Sequence, residues 1–402
     1  MPWTVTTPMT QRLDFVEDFT RGLYSMSELC AHYTISRRVG YKWLQRYRVL
    51  GPDGLSDQRR TPHCSPTRTA PEIVALLLAA RRAHPTWGPR KLLPYLDRRH
   101  PGWTWPVAST VGELLKRAGL VRGRRRRRPV GHPGRPTSAI DAPNAVWTAD
   151  FKGQFRTGDG RYCYPLTVAD AYSRYLLGCQ ALVHPTTALT RPVFEQLFRE
   201  YGLPERIRTD NGAPFATCAL GRLSQLSAWW IRLGITPELI EPAHPEQNGR
   251  HERMHKTLKQ DATRPAAATL GVQQRRFTTF RHEFNTERPH EALGQQPPAT
   301  VYTPSPRPYP RRLPPLEYPV HYEVRLVSAN GGIRWHHDWV NCSHVLCGEY
   351  VGFEEVEDGI WALYFGPMLL GRFHERDRVI ISAHNRNRLK HPRPGLLPMS
   401  PV

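Results

Sequence analysis

Apolar positions change their spacing three times along the chain, and each change marks a different kind of structure. Over residues 8–60, Leu13, Phe15, Val16 and Phe19 recur at helical spacing, and a second short helix begins near residue 27. Ser36 then stands as an N-cap ahead of a third helix, in which Val39, Trp43 and Leu44 form the packing side. Arg37, Arg38, Lys42 and Arg46 share that helix, so its other side presents cations. This is the layout of a helix-turn-helix whose recognition helix runs over residues 36–46 and touches DNA through those four side chains. An ordinary three-helix unit with a solvated basic face is the plainer alternative. Over residues 71–121, Ile73 to Leu78, then Leu92, Leu93 and Leu96, then Leu114, Leu115 and Ala118 mark three more helices, with Gly119 placed as a C-terminal cap. They are expected to form a second, winged-helix-like helix-turn-helix domain, or else a spacer.

After residue 143 the period shortens. Residues 145–151, 162–168, 175–181, 206–209 and 235–240 read as strands, with helices at 188–201 and 220–233 and another carrying Glu252, Lys256 and Lys259. Strands alternating with helices predict an α/β layered core over residues 143–296. A helix and turn over 277–293 end it, and a Pro-rich strap follows at 297–317. Residues 318–380 alternate around turns at Asn330-Gly331-Gly332 and Asp358-Gly359, with Val351, Phe353, Trp361 and Phe365 among the inward positions. That pattern predicts a small SH3-like antiparallel β-barrel, and the basic, Pro-rich residues 381–402 are expected to form a disordered tail.

Composition narrows the function. Fifty-six Lys and Arg against thirty-five Asp and Glu leave a formal charge of +21 on 402 residues, so a polyanion is the default partner. The charge is concentrated at Arg124, Arg125, Arg126, Arg127 and Arg128, within a Gly- and Pro-containing linker at 122–142. Five adjacent guanidinium groups repel one another, which predicts an arm that orders on phosphates or in a narrow minor groove. No run approaches the roughly eighteen apolar residues of a membrane span, and no secretory pattern opens the chain, so a cytoplasmic protein without a membrane partner is expected. The seven scattered cysteines fit a reducing compartment.

Three acids occupy distinctive places: Asp150 at the end of the first core strand, Asp210 after the fourth, and Glu252 on the helix that follows the fifth. Reactive groups of open α/β sheets collect outside strand ends. Grouped carboxylates suit hard divalent cations, Mg²⁺ (or Mn²⁺), and two such ions about 3.5 to 4 Å apart can assist phosphodiester cleavage and transfer. Spacing alone leaves each acid with an ordinary role as a cap or turn residue. Lys256 and Lys259 lie on the same helical face as Glu252.

The segments Trp147-Thr148-Ala149-Asp150, Asp170-Ala171-Tyr172-Ser173-Arg174, Thr209-Asp210-Asn211-Gly212 and residues 245–259 together resemble the catalytic core of the retroviral-integrase superfamily. Within it the chain is similar to bacterial insertion-sequence transposases of the DDE type. Asn285, Arg288, Pro289, His290 and Leu293 resemble the signature that follows the catalytic glutamate in that group. The resemblance implies an RNase H-like core, with Asp150, Asp210 and Glu252 as catalytic residues and ligands to two metal ions. It also implies that Lys256 and Lys259 contact DNA phosphates. The expected activity is binding of terminal inverted repeats, hydrolysis to expose a 3′-OH, and transfer of that end to target DNA by a homo-oligomer on paired ends. A catalytically inactive DNA-binding regulator or domesticated relative is the alternative, and a nuclease that cleaves without joining is a third.

Two features depart from the superfamily's pattern. The 41 residues between Asp210 and Glu252 exceed its usual interval, which Glu246 would match. Glu252 is preferred because Gly249, Lys256 and Lys259 surround it in the helical pattern of the family, whereas Glu246 follows Pro245 in the preceding loop. The His2Cys2 zinc module of retroviral integrases is missing, with helix-turn-helix units in its place. His336, His337, Cys342, His344 and Cys347 offer zinc-ligating atoms, but without paired Cys-x-x-Cys knuckles they are expected to be ordinary barrel residues.

Overall fold

The computed structural model describes residues 7–58, 68–121, 139–240 and 249–383. The chain divides into two compact units, residues 1–69 and 70–402. Among the described residues no helix is long and apolar enough to cross a membrane.

The first unit holds α1 (Pro8–Arg21), α2 (Met26–His32) and α3 (Arg37–Leu50), closed by a short 3-10 turn. Each helix starts where a hydroxyl side chain accepts a backbone N–H of its first turn: Thr7 for α1, Ser25 for α2 and Ser36 for α3. Ser25 and Glu28 form a reciprocal capping box, which starts α2 earlier than the apolar pattern implies. Phe15, Val16, Leu29, Cys30, Trp43, Leu44 and Leu55 are the core. Gly40 is required by the approach of α3 to its neighbours, because a Cβ there would lie 2.8 Å from Cys30 Sγ and 3.0 Å from the Phe15 ring. Arg37, Arg38 and Lys42 are exposed and Arg46 is partly so. Trp43 carries the guanidinium of Arg12 at 4.0 Å, the ammonium of Lys42 at 4.8 Å and the guanidinium of Arg46 at 5.2 Å from its ring centre.

The second unit begins with α4 (Pro71–Ala83), α5 (Pro89–Arg99) and α6 (Ala108–Arg117), packed around Leu77, Trp87, Leu92, Leu96, Val111 and Leu115. The cations of α5 are largely engaged inside the protein. Lys91 Nζ donates to Pro289 O at 2.6 Å, and Arg98 donates to the carbonyls of Glu287 and Gln295. Arg99 pairs with Glu287 at 3.2 Å. These bonds fasten the three helices onto the core that follows. The arginines of residues 124–128 lie outside the described residues.

That core is a mixed sheet with helices on both faces. β1 (Val146–Phe151), continued by β2 (Phe155–Arg156), pairs antiparallel with β3 (Tyr162–Asp170), which pairs antiparallel with β4 (Leu176–Leu182). On the other side β1 pairs parallel with β5 (Arg206–Thr209) and β5 parallel with β6 (Thr236–Leu239). Alternation along β1 sets the layers. Trp147 and Ala149 enter one core with Leu166, Val168 and the residues of α7 (Thr187–Tyr201) and α8 (Gln225–Arg232). Thr148 and Asp150 point the other way, toward α9 (Gly249–Asp261), which with α10 (Leu270–Thr286) covers the second face through Met254, Leu258, Phe277, Phe280 and Phe284.

The helix expected over 220–233 is interrupted. Gly221 has a φ of +64° in a short 3-10 turn, and the helix proper starts only after Ser224, whose Oγ accepts from Ser227 N. α8 is buried on two sides, with Trp229 and Trp230 in the sheet core and Ala228 and Ile231 against the C-terminal strands. The helix placed at 277 in the sequence begins at Leu270 with Thr269 as its cap. The Pro-rich strap is ordered by the core: Asn144 holds Thr303 O and the Tyr302 hydroxyl, and Arg307 reaches the carbonyls of Pro204 and Gly234.

The C-terminal strands are all antiparallel. β7 (Glu323–Leu326), β10 (Tyr350–Glu357), β11 (Ile360–Phe365), β12 (Met368–His374) and β13 (Val379–Ser382) form one sheet in the order β13-β12-β11-β10-β7. β8 (Gly332–Trp335) and β9 (Asp338–Asn341) form a separate hairpin whose Ile333, Trp335 and Val340 enter the same core. The barrel expected here is therefore a five-stranded sheet covered by a hairpin, and among the described residues no ladder closes it. His336 lies 3.3 Å from Glu375, and Cys347 Sγ donates to Ala329 O.

Candidate active site

Asp150 stands at the carboxyl end of β1, on the face turned to α9, and its side chain is 17% exposed. Burial, the neighbouring charge of Asp210 and, more weakly, that of Glu252 push its carboxyl up to about 7, against a smaller opposing effect of Lys152. The three acids named from the sequence thus lie close enough for two of them to act on the third. Asp210 follows β5 directly and is held by the turn: Gly212 N donates to its Oδ1 at 3.2 Å, and Asn211 Nδ2 donates to Ile240 O. A Cβ on Gly212 would approach the Asp210 carboxylate to 3.2 Å, so the glycine leaves that carboxylate room. Burial raises the Asp210 carboxyl as well.

Glu252 lies in the first turn of α9 and is exposed, as are Lys256 and Lys259. With 100° per residue, Glu252, Lys256 and Lys259 fall on one side of α9, while His251, Met254 and Leu258 fall on the side packed against the sheet. Glu246, the competing third acid, lies outside the described residues.

Beneath Asp150 is a polar network that the sequence did not single out. Thr167 of β3 donates its hydroxyl proton to Asp150 O at 3.0 Å and meets His251 Nε2 at 2.7 Å and His255 Nε2 at 2.6 Å. Thr148 Oγ1 meets His251 Nδ1 at 2.8 Å, and His255 Nδ1 lies 3.6 Å from Asp150 Oδ2. Burial lowers the His251 imidazole to about 3 and carries His255 still further down, helped by His251, so both rings are neutral at pH 7. The available signal was a pair of histidines at i and i+4 on a helix, facing threonines at alternating strand positions.

Two other motifs prove structural. Asp170 is buried and accepts from Asn144 N, Ser173 N and Ser173 Oγ, which fixes the turn between β3 and β4. Asn285 pairs with both backbone groups of Leu176, at 2.8 and 3.0 Å, like one more strand residue. On the far side of α9 a cavity of about 440 Å³ opens between Lys91, Arg174, Arg250, Arg253, Arg288 and His290. None of the three acids lines it.

Comparison with known proteins places this architecture. Models of an integrase core domain match residues 141–245 and 233–298. A helix-turn-helix domain matches residues 11–63 and a homeodomain-like domain residues 39–115. An uncharacterised 39.2 kDa protein of insertion element IS476 from Xanthomonas euvesicatoria is 29% identical over 66% of this chain and 74% of its own length. An uncharacterised 31.7 kDa protein of insertion element IS407 from Burkholderia multivorans is 26% identical over 56% of this chain and 79% of its own. Among solved structures, the HTLV-2 integrase catalytic core domain in complex with magnesium aligns at a TM-score of 0.32 and 16% identity, covering 40% of this chain and 98% of that one. The chain carries an integrase core domain over residues 141–298 with helix-turn-helix domains ahead of it, the make-up of an insertion-element protein.

Proposed function

We propose that the protein is a DDE transposase: it binds the terminal inverted repeats of its element, hydrolyses a phosphodiester to free a 3′-OH, and joins that end to target DNA. The observation that carries this reading is the placement of Asp150 at the end of β1 and of Asp210 after the adjacent β5, where burial first, then the Asp210 charge and, least, that of Glu252 raise the Asp150 carboxyl. Carboxylates gathered at strand ends fit divalent cations, and their oxygen atoms suit Mg²⁺ or Mn²⁺. Asp150 and Asp210 would share the two ions and Glu252 would complete the second position. Ions held this way supply activation of the attacking oxygen and stabilisation of the leaving one.

The chain's own groups do the rest. Lys152 beside Asp150, and Lys256 and Lys259 on the Glu252 side of α9, set positive charge where a DNA strand must approach the acids. Thr167 and the two histidines hold α9, the helix that carries Glu252, against β1 and β3. Arg37, Arg38, Lys42 and Arg46 are the DNA-contacting side of α3. Because two element ends meet one target, the working form is a homo-oligomer on paired ends, acting on DNA in the bacterial cytoplasm.

The test is a strand-transfer assay with oligonucleotide ends and Mg²⁺. Wild-type protein joins ends to target, and Glu252→Gln abolishes joining while sparing end binding. Loss of joining in Glu246→Gln with Glu252→Gln still active would transfer the third position to Glu246. End binding by the wild type without cleavage or joining would refute the enzymatic reading in favour of a regulator.

A further inference from the structure

His251 has a hydroxyl partner at each ring nitrogen, Thr167 Oγ1 at Nε2 and Thr148 Oγ1 at Nδ1. The two hydroxyls also lie within hydrogen-bond distance of the carbonyls of Asp150 and Ala169, so both sides of the His251 ring are closed by polar contacts. His255 differs: Thr167 Oγ1 meets its Nε2, while its Nδ1 faces the Asp150 carboxylate at 3.6 Å. That gap is longer than the 2.7 to 3.2 Å of an N–H···O bond. A cation between the ring nitrogen and the carboxylate would fill it.

The gap has the right size. An ion about 2.0 to 2.2 Å from one nitrogen and one oxygen holds them roughly 3 to 4.4 Å apart, depending on the angle between the bonds. Among the described residues, Asp150, His251 and His255 form a group of potential metal ligands, with one ligating atom from each and all of these within 4.8 Å of one another. The hydroxyl bonds exclude His251 from the role and leave His255. Thr167 supplies what a ligating imidazole needs, an acceptor for its other N–H that fixes tautomer and ring orientation.

We propose that His255 Nδ1 is a nitrogen ligand to the divalent ion held by Asp150, which makes the site a mixed oxygen and nitrogen one that favours Mn²⁺ over Mg²⁺. This rests on the metal-dependent reading of the acids. Mg²⁺ keeps to oxygen donors, whereas Mn²⁺, a first-row transition ion, accepts an imidazole nitrogen beside carboxylate oxygens more readily than Mg²⁺ does.

The test uses the full-length protein with Mn²⁺ and no DNA. Pulsed electron paramagnetic resonance of the bound ion is expected to show a directly coupled ¹⁴N, replaced by a ¹⁵N pattern when the unmutated protein carries ¹⁵N-histidine. The coupling disappears in His255→Gln and persists in His251→Gln. The preference for Mn²⁺ over Mg²⁺, measured by titration, falls about tenfold in His255→Gln. Mn²⁺ binding that depends on Asp150 but shows no histidine nitrogen, a result readable on the labelled wild type alone, overturns the ligand assignment and leaves the acid site standing. No Mn²⁺ binding by the wild type overturns both.

Discussion

Replacing Asp150 by Asn should stabilise the metal-free protein in a pH-dependent way whose size follows from the carboxyl's surroundings. Burial and the charges of Asp210 and Glu252 raise this group from 3.8 to about 7. Each unit is worth about 1.4 kcal/mol, so the ionised carboxylate costs the folded state on the order of 4 kcal/mol above pH 7. Between about pH 4 and 7 the folded chain holds a proton that the unfolded chain has released, so this contribution falls as pH rises through the window and is level beyond it. The buried imidazoles act in the opposite sense. His251 and His290, each lowered to about 3 by burial, and His255, lowered with them, stay neutral while the unfolded chain takes up protons below about 6.5. They therefore remove stability as pH falls through the same window. The wild-type pH profile mixes the two effects; the difference between Asp150→Asn and wild type isolates the carboxyl. Urea unfolding in EDTA, followed by the fluorescence of buried Trp147, Trp229 and Trp230, measures it. The variant's advantage should grow by about 1.4 kcal/mol per pH unit from pH 4 and level off near pH 7. Mn²⁺ at pH 8 should then stabilise the wild type and leave Asp150→Asn unchanged. A difference constant within about 0.5 kcal/mol from pH 4 to 8 would show that Asp150 is not held among like charges.

Asn285→Ala strands the buried N–H and C=O of Leu176 and should cost about 2 to 4 kcal/mol in the same urea assay; a loss below about 0.5 kcal/mol would mean water replaces both bonds. Phe277→Ala, at a fully buried position under α9, should cost about 3 to 5 kcal/mol, and an unchanged midpoint would show that the helix does not depend on that layer. Lys256→Gln combined with Lys259→Gln changes only exposed side chains, so circular dichroism and stability should match the wild type. The slope of log affinity for element ends against log salt should nevertheless become shallower by about 2, and an unaltered slope would remove these lysines from the DNA path.

What the sequence made legible was what depends on local rules. Ser36 and Ser25 cap helices because a hydroxyl beside a free N–H is a local event, and β1, β3 and β5 follow from apolar periods of two. The acids could be named because each sits at the end of an element. What stayed illegible depends on which faces meet. His251 and His255 look like polar residues on a charged helix until β1 and β3 bring Thr148 and Thr167 beneath them. Asp170 and Asn285 lie in the motifs that carry the family resemblance, and their task shows only in the fold, where they satisfy backbone groups across 26 and 109 positions of chain. Gly221 breaks a helix that the run from Leu220 to Leu233 would support, because Ser224 competes for the N–H groups of the first turn. The terminal strands showed their alternation but not their closure, which pairing between distant edges decides.

These differences converge on α9, which has three sides with separate tasks. One side buries Met254 and Leu258 and seats two neutral histidines on threonine hydroxyls. A second presents Glu252, Lys256 and Lys259 to solvent, and a third carries Arg250 and Arg253 along the cationic cavity. A helix with so little apolar surface and so many charges is not stable by propensity alone. Its position is set by the polar network, because a slip by one residue would leave His251 and His255 buried without partners, at about 1 to 3 kcal/mol each. The same bonds that hold α9 in register leave His255 Nδ1 as the one ring nitrogen of the pair facing Asp150. Folding and ligand placement are then a single requirement here: a substitution at Thr167 should disturb the position of Glu252 and the orientation of His255 together, although it touches none of the three carboxylates of the site.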